Sequence, residues 1–129
     1  MKTETDARCQ TLSHDLDNFR IDIARIRKEI SRLKSSIQSQ ENEIDGLRAE
    51  NIQLQSLAAA AQLRGGIGGV AAAAAARAKI TRNTIRISRL EAAVASIRQE
   101  IDNKKFTMES WMNSARQAEL MIQQLDCSF

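Results

Sequence analysis

Residues 64–80 read RGGIGGVAAAAAARAKI: four glycines set around Ile67, followed by a run of alanines. Such a tract is a flexible linker, a membrane-inserting segment, or the turn of something larger, and its neighbours decide which. From Leu12 onward the apolar residues step by four and three. One column holds Leu16, Ile23, Ile30, Ile37, Ile44, Asn51 and Ala58; the other holds Leu12, Phe19, Ile26, Leu33, Gln40, Leu47, Leu54 and Ala61. The second half repeats the pattern with Ile80, Ile87, Val94, Ile101, Met108, Ala115, Ile122 and Phe129 against Asn83, Leu90, Ile97, Lys104, Trp111, Ala118 and Leu125. Regularity of this kind predicts a coiled coil. The phase slips by one residue across the glycines, which favours a break there.

If the glycines form a turn, facing residues lie at equal distances in sequence on either side of Ile67. Asn51 then meets Asn83, Ile44 meets Leu90, Ile26 meets Met108, Ile23 meets Trp111, and Phe19 meets the small Ala115. Ala58 and Ala61 meet Ala76 and Ala73 at the turn. The Asn match is the most informative, because a lone Asn in an apolar interface is stripped of water, whereas two facing amides satisfy each other and fix register. Ile30 against Lys104 and Gln40 against Val94 are mismatches, although a lysine can run its stem along the apolar surface and keep its ammonium in water. On the flanks the same register expects Arg20–Glu119, Glu41–Arg98, Arg48–Glu91 and Glu50–Arg86.

The alternative is a long parallel coiled-coil rod with a Gly-rich break. Its flanking rule fits Asp15–Arg20, Asp22–Arg27, Glu29–Lys34, Glu43–Arg48, Arg86–Glu91 and Glu100–Lys105. Against it stand the phase slip and the interior glycines, each costing about 1 kcal/mol relative to Ala. The sequence therefore predicts an all-α fold: one coiled-coil domain over 1–129, an antiparallel two-helix hairpin with helix 1 over 11–63, a Gly-rich turn over 64–70 and helix 2 over 71–127. Gly65 is placed to end helix 1 in a left-handed cap.

Composition agrees. Of 129 residues, 27% are charged and 3% aromatic, and proline is absent; this suits long helices better than a packed globule. No stretch has the length and apolarity of a membrane span, and the N-terminus lacks the apolar segment of a signal peptide, so an intracellular location is expected. Cys9 and Cys127 lack metal spacing and fit free thiols in a reducing compartment. The hairpin does bring them toward the same end, where an oxidising setting would allow a disulfide.

Two surfaces are candidates for contact. No acid lies between Glu50 and Glu91, while that span carries Arg64, Arg77, Lys79, Arg82, Arg86 and Arg89, in a chain of net charge +3. With Leu63, Ile67 and Val70 beside them, the residues Arg64, Arg77, Lys79 and Arg82 suit an anionic membrane surface or an acidic protein. At the other end Phe106, Trp111, Met112, Met121, Ile122, Leu125 and Phe129 exceed the needs of a narrow apolar stripe and suggest burial against another chain. Ile21 and Ile85 also fall outside the columns.

Chemistry is not in evidence. His14 is the one histidine, on the outer face, and no nucleophile–base pair, metal-ligand set or cofactor motif can be assembled. GGIGG follows a helix and lacks the Lys-Ser/Thr of a phosphate-binding loop. LRAENIQLQSL, residues 47–57, resembles the leucine zipper of basic-zipper transcription factors, with Leu47, Asn51 and Leu54 at matching positions. That family carries a basic region with an Asn-x-x-Ala-Ala core directly before its zipper. Residues 27–46 hold no such motif and carry several acids, so specific nucleic-acid binding is not expected. The sequence points to a non-enzymatic structural or assembly protein, a homo-oligomer or a subunit of a larger complex, partnered by itself or by other helical proteins. Alternatives are a membrane-active hairpin that inserts its tip into anionic bilayers, and a helical chaperone or adaptor.

Overall fold

The computed structural model of the protein describes residues 3–127. Two α-helices follow one another, α1 over Glu4–Arg64 and α2 over Gly66–Gln124, and pack against each other as a helical hairpin. The glycine tract is the turn, and the parallel arrangement is not adopted within the chain.

Local chemistry sets the helix ends. The Thr3 hydroxyl accepts the Asp6 N–H at 3.1 Å and the Asp6 carboxylate accepts the Thr3 N–H at 3.2 Å. This reciprocal cap satisfies two backbone donors, and Glu4 and Asp6 suit the positive end of the helix. Helix α1 therefore starts well before the expected residue 11. At its other end Gly65 adopts φ +69° and donates its N–H to the carbonyls of Ala61 and Gln62 at 3.3 and 3.2 Å. Gly66 follows with φ +74°. A side chain at either position would cost roughly 1–2 kcal/mol through the clash of Cβ with the backbone. Gly65 alone lies outside both helices, so the turn is much tighter than the span 64–70 expected for it. Helix α2 closes in a Schellman motif: Asp126 takes φ +54°, its N–H reaches Gln123 O at 3.1 Å, and the Cys127 N–H reaches Ile122 O at 3.1 Å. The helix thus ends at Gln124, short of the expected 127.

The chain divides into two compact units, residues 3–34 with 99–127, and Ser35–Arg98. In the first, Leu16, Ile23, Ala115 and Ala118 are buried together, with Leu12, Phe19, Met108, Trp111, Met112 and Ile122 half-covered around them. Ile26, Ile30 and Ile101 are also buried. A disulfide joins Cys9 to Cys127, with Cα atoms 5.7 Å apart. The two cysteines are therefore not free thiols, and the reading of a reducing compartment that rested on them loses its support. The Schellman turn brings Cys127 to the buried Cys9.

In the second unit, Leu54, Ala58, Ala61, Ala73 and Ala76 pack together with Ile80 against them, and Ile44, Leu90 and Val94 are buried. Asn83 Nδ2 donates to Asn51 Oδ1 at 3.0 Å, the polar match that the mirror about Ile67 predicts. Every described member of the four apolar columns is buried or half-buried; Phe129 lies outside the described residues. Gln40 is the poor fit. Its Nε2 donates to Ser36 Oγ at 3.3 Å, but its buried Oε1 has no partner among the described residues. Replacing it with leucine removes a stranded acceptor, so Gln40→Leu should raise the unfolding free energy by about 1 kcal/mol in urea titration. An unchanged or lower midpoint would show that the oxygen is satisfied by water.

Candidate interaction surfaces

The Gly turn belongs to the Ser35–Arg98 unit. Gly69 is buried, and a Cβ placed on it would run into the Ala61 carbonyl, so α2 crosses α1 at backbone distance there. The four buried alanines continue that close approach. Gly69 and the alanines make the close approach beside the turn, and the larger apolar residues of the turn are left outside it. Leu63 is 90%, Ile67 91% and Val70 68% exposed.

The cations nearby divide into two sets. Lys79 Nζ lies 3.1 Å from Glu50, and Arg86 lies 3.1 Å from Glu43. Lys79, expected at the contact surface, is thus tied back to α1. Arg64, Arg77, Arg82 and Arg89 are exposed and have no ion pair among the described residues. The sequence register assigned Glu50 to Arg86 instead. Lys79 and then Asn83 hydrogen-bond Glu50 and hold its carboxyl below the usual value. Glu50 is thereby occupied, and Arg86 turns to Glu43 through both Nε and Nη2. On the opposite flank Arg48–Glu91 and Arg98–Glu41, both at 2.6 Å, form as expected. These four residues also line a shallow depression of about 320 Å³ over Ile44 and Val94.

In the other unit the expected apolar surplus splits. Trp111, Met112 and Ile122 pack on the unit's own cluster, and Leu125 is half-buried. Phe106 is 76% exposed, and Ile21, Leu120 and Met121 also face solvent. Arg20 reaches Glu119 at 3.3 Å as expected. Lys104, the charged member of its column, buries its stem and places Nζ 2.8 Å from Glu29 Oε2. Sequence reasoning found the lysine's escape but not its partner; an acid next to Ile30, the residue facing Lys104, was the available signal.

That pair carries a pH dependence. The hydrogen bond and charge of Lys104 hold Glu29 below its ordinary 4.5 against the opposing effect of burial, with Arg25 and Arg32 helping. The Glu29 hydrogen bond likewise holds Lys104 above its ordinary 10.5. For the carboxyl, depressed in the folded state, the stabilisation is present above 4.5 and lost as pH falls through the lower folded value. For the lysine, raised in the folded state, it is present below 10.5 and lost as pH rises through the higher folded value. Glu29→Gln should therefore lose less stability than the parent on acidification below pH 4.5, as read by urea midpoints across pH. Parallel curves for the two proteins would contradict this.

Among the described residues, no cluster of three or more His, Cys, Asp or Glu is placed to hold a metal ion, and no helix is long and apolar enough to cross a membrane. Compared with known proteins, the chain matches no family model, no curated protein and no solved structure.

Proposed function

We propose that this chain is a non-enzymatic structural or assembly protein, an antiparallel coiled-coil hairpin that works by associating with copies of itself or with other helical proteins. The observation that carries this reading is incomplete burial. Among the described residues no large side chain falls below 2% exposure, and only Ala61 and Ala73 reach 1%. Two helices shield an apolar stripe from two sides only, and most helical stability comes from tertiary packing of such a face. Further helices complete that burial. Phe106, outside the columns and 76% exposed, marks where one of them would sit. Aromatic residues at such positions are enriched in protein interfaces.

Light scattering or sedimentation equilibrium tests the self-association arm. The expected result is a defined multiple of 14.4 kDa. Phe106→Glu, at a position 76% exposed in the hairpin, should shift the equilibrium toward monomer with unchanged helix content. A chain that stays monomeric over the micromolar to millimolar range rejects self-assembly.

A further inference from the structure

We propose that the Gly turn is a docking tip for an anionic lipid surface, with Leu63, Ile67 and Val70 entering the headgroup region and Arg64 and Arg77 meeting the lipid phosphates. This stands apart from the self-association reading, since it uses residues of the Ser35–Arg98 unit alone.

The first argument is exposure without structural need. Leu63 and Ile67 are the most exposed large apolar residues described, at 90% and 91%, more than Phe106 at 76%. The hairpin gains nothing from them, because its close approach is made by Gly69 and the four alanines. Val70, at 68%, is a third exposed apolar residue beside the same turn, and such exposure marks a contact surface.

The second argument is charge complementarity. From Glu50 to Glu91 there is no intervening acid, and Arg64, Arg77, Arg82 and Arg89 have no ion pair among the described residues. The first turn of α2 also lacks any acid, so no carboxylate there competes for the arginines. Side chains on a helix lean toward its N-terminus, which for α2 is the Gly turn, so Arg77 and Arg82 lean toward the tip. Arg77 lies roughly 16 Å along the helix axis from Gly66, within reach of the headgroup layer once the apolar tips are inserted.

The third argument selects lipid over an acidic protein. The apolar side chains stand out beside a turn, 90%, 91% and 68% exposed. A protein partner would need a pocket shaped to each, whereas a fluid lipid surface closes around isolated protrusions, and the bare Gly65 and Gly66 backbone allows close approach. No described helix is able to span a bilayer, so the contact is peripheral and shallow.

The experiment is co-sedimentation of the full-length, disulfide-bonded protein with phosphatidylcholine vesicles, with and without roughly 30% phosphatidylserine. Binding to the anionic vesicles should be about tenfold stronger than to the neutral ones and should weaken in high salt. Ile67→Asp should lose about tenfold in binding with unchanged helix content, and the pair Arg64→Gln and Arg77→Gln should lose the preference for anionic vesicles. Phe106→Glu, in the other unit, should bind vesicles as the parent does even where it impairs self-association. Three results would overturn the proposal: no binding, equal binding to both vesicle types, or an Ile67→Asp variant that binds like the parent. Binding to poly-glutamate but not to vesicles also overturns it and assigns the tip to an acidic protein.

Discussion

Opening the Cys9–Cys127 bond should lower the unfolding free energy by about 5 kcal/mol, the chain-entropy value for a loop of this size, given the separation of 118 residues. The unfolded chain regains freedom over nearly its whole length. The folded hairpin gains none, because the Schellman turn and the capping of α1 hold the two ends independently of the bond. For a domain of this size the effect corresponds to a fall of the melting temperature by about 15 °C. Reduction of the parent protein and the Cys127→Ser variant should agree. Cys9→Ser should cost somewhat more, since Cys9 is 6% exposed and a hydroxyl there is poorly placed. Urea unfolding with and without reductant measures the difference, and coincident midpoints would show that the bond does not restrict the unfolded chain.

The second large effect concerns packing, and whether shrinking or enlarging a side chain disrupts it depends on position along the helices. Leu90 is 5% exposed, and Leu90→Ala should destabilise by about 3 kcal/mol through lost burial and the cavity left behind. At the Gly turn the residue to enlarge is Ala73, 1% exposed where α2 touches α1. Ala73→Leu should destabilise by about 2–3 kcal/mol, because the backbones must separate to admit it. Ala72→Leu, one residue away on an exposed face, should change little. Equal stability of the two variants at 72 and 73 would mean that the close approach is not a constraint.

Much of this architecture was legible beforehand, and the reasons are specific. Apolar columns report a burial pattern through spacing alone, and mirroring them about Ile67 made Asn51 and Asn83 meet. An amide pair is a stronger register signal than a surface charge pair, since it is costly to leave unmatched. The charge pairs show the converse. Arg20–Glu119, Arg48–Glu91 and Arg98–Glu41 form where the antiparallel register expects them. Glu50 does not follow it: Lys79 took it, and Arg86 pairs with Glu43.

Other features turned on detail that periodicity does not carry. Thr3 and Asp6 have the spacing of a reciprocal cap, yet they precede the first apolar step and so fell outside the pattern. The backbone contact of Gly69 with Ala61 is a three-dimensional crossing; in the sequence it looks like any other glycine. The cysteines were placed near each other by the hairpin, but whether they bond depends on the last half-turn of chain. An aspartate in a left-handed conformation is uncommon, and nothing around Asp126 announced that it would steer Cys127 to Cys9. At the contact surfaces, Trp111, Met112 and Ile122 read as surplus because a two-helix stripe was taken as narrow; packing drew them inward and left Phe106 and Met121 outside.

The bridge also alters how the molecule answers force. A load applied to the two termini passes from Cys9 to Cys127 through a single covalent link and never reaches the residues between them. The helical interface, with its amide pair and alanine crossing, is mechanically bypassed while that link stays closed. Reduction would place the same tension directly on the helices, so the redox state decides whether the molecule behaves as an inextensible clasp or as a zipper.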